Sequence, residues 1–334
     1  MMDEVIKYLK DKGIEIDDKL LGYIEGGVEI SEKDEYKHDF GTFPEHHNES
    51  WYFNFIDRKN NVFLFTRLSM EMFEKDMRSI VMLCLIIDGE PNVYFNQIPL
   101  ENMPDNWEYD KKVKYYCIEP MKKWRITYQD KRFELDILFE GRFHVYNYLS
   151  HKDPLKSIKE LGVELLERTA QHHYEQAMRA TGTIILKKQG ETLKINCLGH
   201  RDHSWGTRDW VKIDRWYWIS AQFEDETLNI FQIEFAGKML LNGFYSNNQG
   251  NTTIESVEIS TKTKSDGKTP ISSVFKFIDE HGKKRTIESK TIHNIYLPLP
   301  SSEGFTEIYE QIATFEIEGK KGAGVAEYLI STRK

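Results

Sequence analysis

The residues best suited to chemistry lie in one run, GHRDHSWGTRDW at residues 199–210, which holds two Arg-Asp pairs, two His and two Trp. Trp216 and Trp218 follow at once, so four of the seven Trp in the chain fall between residues 205 and 218. Solvated loops rarely hold so much indole, and ordinary cores rarely hold so much charge. The wall of a binding pocket accommodates both, because such pockets are mostly apolar with a few placed polar groups.

As an extended segment, the run presents two chemically different faces. One face consists of Arg201, His203 and Trp205. The other consists of His200, Asp202 and Ser204. Either face suits general acid-base catalysis on a mostly apolar substrate. Burial among Trp would raise the pKa of Asp202 and an adjacent Arg would lower it, and the sequence leaves that balance open.

A structural role is the alternative for the same run. Arg-Asp pairs beside Trp can form a buried salt-bridge brace at a domain junction, with guanidinium groups stacked on indole rings. This alternative applies most to Arg208 and Asp209, and less to Asp202 and His203.

Two further clusters carry polar residues. Residues 172–176 read His-His-Tyr-Glu-Gln and are followed by Arg179, which from the residues alone indicates a polar connector between domains. In the strand-like segment 231–235, Gln232 and Glu234 share one face. They would point inward in a barrel, but a half-exposed strand shows the same alternation.

The motifs of metal and cofactor binding are missing from the sequence. His172, His173, His200 and His203 could supply imidazoles, but the last two lie on opposite faces of a strand and no HExxH or Cys/His spacing supports a metal site. The three Cys, at 84, 117 and 197, form no disulfide framework or CxxC pair. GxGxxG, P-loop and GxSxG motifs are absent too. We therefore expect neither a metal nor a nucleotide cofactor.

Composition narrows the class of protein. The chain has 334 residues, 40% hydrophobic and 30% charged, which is typical of a soluble protein of two domains. A net charge of −9 argues against binding nucleic acid or anionic membranes. The longest apolar run, Ile80 to Ile87, is of strand length, and the N-terminus turns acidic at once. We expect a cytoplasmic protein without a transmembrane segment or signal peptide.

Hydrophobic periodicity predicts a mostly β-protein with a short helical N-terminus. Residues 1–24 have helical spacing interrupted at Gly13, and from residue 49 the period changes to two. Short alternating strands separated by turns are typical of antiparallel sandwiches and barrels. Residues 155–168 interrupt this pattern with a helix-like segment. The predicted division is a helical segment at 1–35, a first β-domain at 36–165 and a second at 166–334 that carries the run.

The run and three other segments of the sequence show a family resemblance. Gly199 to Gly206, with Arg208-Asp209-Trp210, resembles the signature of the hydroxyneurosporene synthase (carotenoid 1,2-hydratase) and AttH-like superfamily. Residues 49–53, ESWYF, resemble its first-strand motif, although Ser50 replaces a bulky residue. Residues 173–182 resemble the lead into the second domain, and residues 322–328 resemble the closing strand. The resemblance extends from about residue 40 to the end of the chain.

The resemblance implies two tandem lipocalin-like β-domains and cofactor-independent reactions on isoprenoids or polyenes. These include adding water to a carbon-carbon double bond, cyclisation and pericyclic ring closure. In the hydratase mechanism that the resemblance implies, a carboxylic acid protonates the alkene, and aromatic faces stabilise the carbocation that forms. The predicted catalytic residues are Asp202, His203 and Glu175. The predicted substrate-binding residues are Trp51, Trp205, Trp210, Trp216, Trp218, Arg201, Arg208 and Gln232.

Three functions follow as candidates. The leading one is a hydratase or cyclase of isoprenoid or polyene metabolism, with the ligand near the domain interface. A titratable carboxyl among aromatic side chains would favour it. An apolar-ligand carrier is the first alternative, favoured if every interface charge is paired. A pericyclase or isomerase is the second, favoured by hydrogen-bond donors without a free acid. The oligomeric state is not encoded in these patterns.

Overall fold

The N-terminus is helical, as its spacing predicts. In the computed structural model of the chain, helix α1 spans Met2–Asp11 and buries Val5 and Leu9. Gly13 follows in the left-handed region (φ +70°), a conformation that favours glycine after a helix. A 3-10 turn at Glu32–Glu35 begins with a capping box between Ser31 and Asp34. The structure describes residues 2–16, 20–21, 30–38, 47–73, 76–100, 107–108, 110–149, 155, 158–159, 162, 172–207, 213–235, 237–300 and 304–333.

Ten antiparallel strands form the larger sheet. They are β1 His47–Asp57, β2 Val62–Phe73, β3 Asp76–Ile87, β4 Glu90–Pro99, β5 Val113–Glu119, β6 Lys123–Gln129, β7 Phe133–Gly141, β8 Tyr146–Asn147, β9 His172–Leu186 and β10 Glu191–Thr207. Their order is β4-β3-β2-β1-β10-β9-β7-β6-β5, and β8 pairs with β9. The strand carrying the run 199–207 therefore lies at the centre of this sheet, between β1 and β9.

The larger sheet curls so that strands near its two ends meet. The ring of Tyr94 on β4 lies 5.6 Å from that of Tyr128 on β6, and Arg132 donates to Asn92 at 2.9 Å. The concave face is filled with apolar side chains at alternate positions, including Trp51, Phe53 and Phe55.

Eight antiparallel strands form a closed barrel. They are β11 Arg215–Gln222, β12 Glu226–Phe235, β13 Lys238–Asn247, β14 Gly250–Thr263, β15 Pro270–Asp279, β16 Lys284–Pro300, β17 Gly304–Ile317 and β18 Lys320–Arg333. Pairing of β11 with β18 closes the barrel. Gly324 makes this closure possible, because a Cβ there would lie 1.8 Å from the carbonyl oxygen of Ser220.

The predicted fold class is confirmed, since a curled sheet and a closed barrel make two lipocalin-like β-domains. Strands β9 and β10 follow the boundary predicted at residues 165/166, yet they pair with strands of the larger sheet. The boundary itself stays a prediction, because strand pairing does not define where independently folding units divide. Most of the predicted helical connector lies outside the described residues. In the part of the chain that is described, no helix has the length and apolar character needed to cross a membrane.

The convex face of the larger sheet packs against the outside of the barrel. Phe63 and Phe65 of β2 share one buried cluster with Trp216, Trp218 and other barrel residues, and α1 contributes to the same cluster. Because side chains alternate along β10, one face of the run points into the concave core and the other into this interface.

Candidate active site

The alternation predicted for the run is confirmed, and it divides the site into two clusters. We call the concave side the inner cluster. It consists of Glu35, His38, Glu49, Tyr174, Arg201 and His203. We call the convex side, between the two domains, the interface cluster. It consists of Tyr52, Tyr148, Glu175, His200, Asp202, Trp218, Glu310 and Glu327.

A buried ion pair forms the base of the inner cluster. The Arg201 guanidinium donates to Glu35 Oε1 at 2.5 Å and to Gln176 Oε1 at 3.0 Å, and both charged side chains are almost fully buried. Burial raises the pKa of Glu35, but the Arg201 charge outweighs it and holds that pKa below its usual value. Trp51 donates to the Glu35 carbonyl at 3.1 Å. The Arg201–Glu35 pair is a buried salt bridge of the kind that the sequence suggested for Arg208 and Asp209.

The other half of the inner cluster joins two imidazoles to one carboxylate oxygen. His38 Nδ1 and His203 Nε2 lie 2.8 Å and 2.9 Å from Glu49 Oε1. The backbone amide of His38 donates to Glu49 Oε2 at 3.0 Å. Aromatic rings enclose the group, because His203 stacks on Trp51 at 4.5 Å and His38 stacks on Trp205 at 4.0 Å.

Glu175 lies at the centre of one half of the interface cluster. Its Oε1 accepts from Tyr148 Oη and from Trp218 Nε1, each at 2.8 Å, and its Oε2 lies 2.7 Å from His200 Nε2. Gln222 donates to His200 Nδ1 at 3.2 Å, so Nε2 carries the hydrogen toward Glu175. Burial alone would raise the pKa of Glu175, but the neighbouring imidazoles lower it to about 2. Glu175 is therefore a carboxylate, held by donors from both domains.

The other half of the interface cluster contains an acid of the opposite character. Glu310 of β17 is 3% exposed and faces Glu327 of β18 in the strand register. Burial, then the charge and hydrogen bonding of Glu327, raise the pKa of Glu310 well above its usual value, and Asp202 adds to the effect. Tyr52 donates to Glu310 Oε1 at 3.2 Å. The ring of Tyr52 meets that of Trp218 edge-on at 5.6 Å, which places the Glu310 carboxyl beside aromatic surface.

The predicted catalytic residues do not share one site. Asp202 and Glu175 belong to the interface cluster, whereas His203 belongs to the inner cluster. The predicted aromatic wall divides in the same way. Trp51 and Trp205 lie on the concave side, and Trp216 and Trp218 lie at the interface.

Gln232 belongs to neither cluster. Gln232 is buried on β12 and donates to the sulfur of Met239. Arg208 and Trp210 lie outside the described residues, so the run is described only to residue 207.

Sequence reasoning missed the residues that complete both clusters. Glu35 and His38 precede the first strand, and Glu310 and Glu327 lie a hundred residues or more after the run. Glu49 belongs to the first-strand motif ESWYF, but the motif does not predict its contacts with His38 and His203. The available signal was a Glu between two apolar residues of the same strand face, Ile308 and Ile312 for Glu310, and Val325 and Leu329 for Glu327.

The fold and the site together define a two-domain lipocalin-like protein with buried acid and imidazole groups on both sides of its central strand. The chain belongs to the family DUF7064, described as a domain of unknown function, whose profile matches residues 31–331. No curated protein matches the sequence.

Several solved structures share the fold. A protein assigned as AttH from Nitrosomonas europaea is 16% identical, with a TM-score of 0.62 over 90% of this chain and 96% of that one. Kievitone hydratase from Nectria haematococca is 11% identical, with a TM-score of 0.58 over 89% and 94%. CghA, solved with Sch210972, is 10% identical, with a TM-score of 0.58 over 86% and 88%. At these identities the likeness establishes the fold.

Proposed function

We propose that this chain is a cofactor-independent enzyme that protonates a carbon-carbon double bond of an apolar small molecule at the interface between its two domains. The reaction would be a hydration or a terpene-type cyclisation, and the substrate an isoprenoid or a polyene. The observation that carries the proposal is Glu310, a buried carboxyl whose pKa is raised beside aromatic side chains. Structural neighbours that include a hydratase support the choice.

Glu310 is better suited than Glu175 to be the acid. A general acid must hold its proton at the working pH and release it to a weakly basic carbon. Glu175, with a pKa of about 2, has no proton to give, whereas the raised pKa of Glu310 keeps it protonated. Two carboxyl groups whose surroundings shift their pKa values in opposite directions are a recurrent arrangement for dividing acid and anion roles.

The proposed reaction has a protonation step and a step in which the cation is captured. The Glu310 proton adds to one alkene carbon, leaving a carbocation on the other and a carboxylate on Glu310. Trp218, Tyr52 and the Glu175 and Asp202 carboxylates stabilise the positive charge. Water then adds to the cation, and the proton it loses returns to Glu310. In a cyclisation, a second double bond replaces water as the nucleophile, and a carbon next to the new cation loses a proton that returns to the Glu310 carboxylate.

The test is turnover in heavy water with geraniol, farnesol, geranylgeraniol and lycopene, read by mass spectrometry. We expect a product with carbon-bound deuterium, because solvent exchanges with the Glu310 proton before it is transferred. The variant Glu310→Gln should lose this product. Glu316→Gln should keep it, because Glu316 is an exposed glutamate on the same strand.

Two results would overturn the proposal. A product without carbon-bound deuterium would indicate a pericyclase or isomerase, because those reactions take no proton from solvent. A ligand that binds but is recovered unchanged would indicate a carrier. Either result would leave Glu310 as a structural group.

A further inference from the structure

The inner cluster has the composition and spacing of a metal site. His38 Nδ1, Glu49 Oε1 and His203 Nε2 lie within 4.8 Å of one another, and they come from three separate segments of the chain. Glu49 and His203 are fully buried, and His38 is 20% exposed. We infer that these three side chains form a binding site for a divalent first-row transition ion of the Zn²⁺ type.

The hydrogen bonds of His203 support the inference. Tyr174 has one hydroxyl hydrogen, which it donates to Glu35 Oε1 at 2.9 Å. The hydroxyl oxygen must therefore accept a hydrogen bond from His203 Nδ1, which lies 3.1 Å away. Nδ1 thus carries a hydrogen. In the neutral ring, Nε2 then directs a lone pair at Glu49 Oε1. Only a proton or a cation can satisfy both atoms at that point. His200 on the other face differs, because Gln222 leaves its Nε2 as the donor.

The surroundings match those of bound metal ions in general. Each imidazole presents one ring nitrogen to Glu49 Oε1 and the other to a further oxygen, Tyr174 Oη for His203 and Asp34 Oδ1, at 3.5 Å, for His38. Metal-ligating histidines usually have such an outer partner, which orients the ring. The His38 amide binds Glu49 Oε2, which leaves Oε1 directed at the two rings.

The ligand types select the class of ion. Two imidazoles and one carboxylate favour Zn²⁺ and its first-row neighbours over Mg²⁺ or Ca²⁺, which prefer oxygen ligands. Three protein ligands leave a position open for water or a substrate atom. His38 is the exposed member of the three, so access is from its side. The rings of Trp205 and His172, stacked at 5.0 Å, adjoin this side.

The full chain, without a histidine tag and freed of metal by chelator dialysis, is titrated with Zn²⁺ by calorimetry and with Co²⁺ by visible absorption. We expect one equivalent of each ion to bind, with a Co²⁺ d–d band that reports imidazole and carboxylate ligands. His38→Ala and Glu49→Gln should abolish the band. Tyr174→Phe should weaken binding by about 10–100-fold, because the outer partner of His203 is lost.

Two controls keep the test decisive. His281→Ala removes an exposed imidazole on a barrel turn and should bind as the parent chain does. Glu310→Gln should also bind normally, so failure of the acid mechanism and failure of the metal site give different results. No saturable binding, or binding unchanged in both His38→Ala and Glu49→Gln, would overturn the inference and leave a metal-free His-Glu-His network. Circular dichroism of each variant excludes unfolding as the cause of a loss.

Discussion

At the scale of single residues, the interface cluster holds two kinds of carboxyl group. Glu175 is surrounded by donors and is ionised, whereas the pKa of Glu310, which is buried beside Glu327, is raised well above its usual value. Burial acts against the charge of both groups, so their neighbours decide the outcome. Imidazole and indole N–H groups stabilise one charge, and a second carboxyl destabilises the other.

The raised pKa of Glu310 predicts that this residue costs stability at neutral and alkaline pH. The folded chain holds the proton above pH 4.5, where the unfolded chain has released it, so stability falls as pH rises toward the folded pKa. Each unit of upward shift corresponds to about 1.4 kcal/mol. We expect Glu310→Gln, which does not titrate, to exceed the parent in free energy of unfolding at pH 8 and to approach it at pH 5.

Urea unfolding of both chains at the two pH values measures this difference. Glu316→Gln on the same strand should show no such pH-dependent gain. Enzymatic activity, where the proposed function holds, should decline with rising pH through the same range. A Glu310→Gln chain that is less stable than the parent at pH 8 would contradict the raised pKa.

At the scale of elements, strand β10 positions residues of both clusters, and Gly199 determines how closely β10 can approach β1. A Cβ on Gly199 would lie 2.4 Å from the carbonyl oxygen of Asn54, well inside contact distance. Because the obstacle is backbone, it cannot turn away as a flexible side chain would. The glycine that begins the run therefore keeps β1 and β10 paired where Tyr52 and Asp202 are register partners.

We expect Gly199→Ala to destabilise the protein by about 1–3 kcal/mol, since overpacking of this kind forces the backbone to shift. Chemical denaturation of the variant and the parent measures the loss. The same shift should disturb both clusters, so proposed turnover and Co²⁺ absorption should weaken together. Unchanged stability would show that the two strands can separate at little cost.

Periodicity alone was sufficient to predict the alternation of short strands and the two faces of the run. Period-two alternation follows from strand geometry, so Arg201 and Asp202 could be placed on opposite faces from sequence. The partners of the residues in the two clusters could not be predicted, because folding brings together segments that lie far apart in the chain. Arg201 binds Glu35, 166 residues away, and Tyr52 binds Glu310, 258 residues away. For the same reason the sequence could not predict that β1 and β9 flank the run in the larger sheet.

At the scale of the whole molecule, polar contacts tie the curled sheet to the barrel. The Arg142 guanidinium donates to the carbonyls of Phe223 and Glu224 at 2.5 Å and 2.7 Å, across the turn between β11 and β12. Its backbone amide donates to Ala177 of β9 at 2.9 Å. Burial lowers the pKa of Arg142 to about 10, which still leaves it charged at neutral pH. Trp218 and Tyr52 add the contacts within the interface cluster.

These ties predict that the two domains unfold together. Urea transitions followed by tryptophan fluorescence and by far-ultraviolet circular dichroism should coincide for the parent chain, as in a two-state transition. Arg142→Met should lower the stability by about 2 kcal/mol, because it leaves carbonyl groups without their donor, and should begin to separate the two transitions. Arg125→Met removes an Arg-Asp pair whose side chains are 49% and 45% exposed, and should change little. Two separate transitions in the parent chain would show instead that the interface is too weak to couple the domains. The interface cluster could then come apart while both domains remain folded.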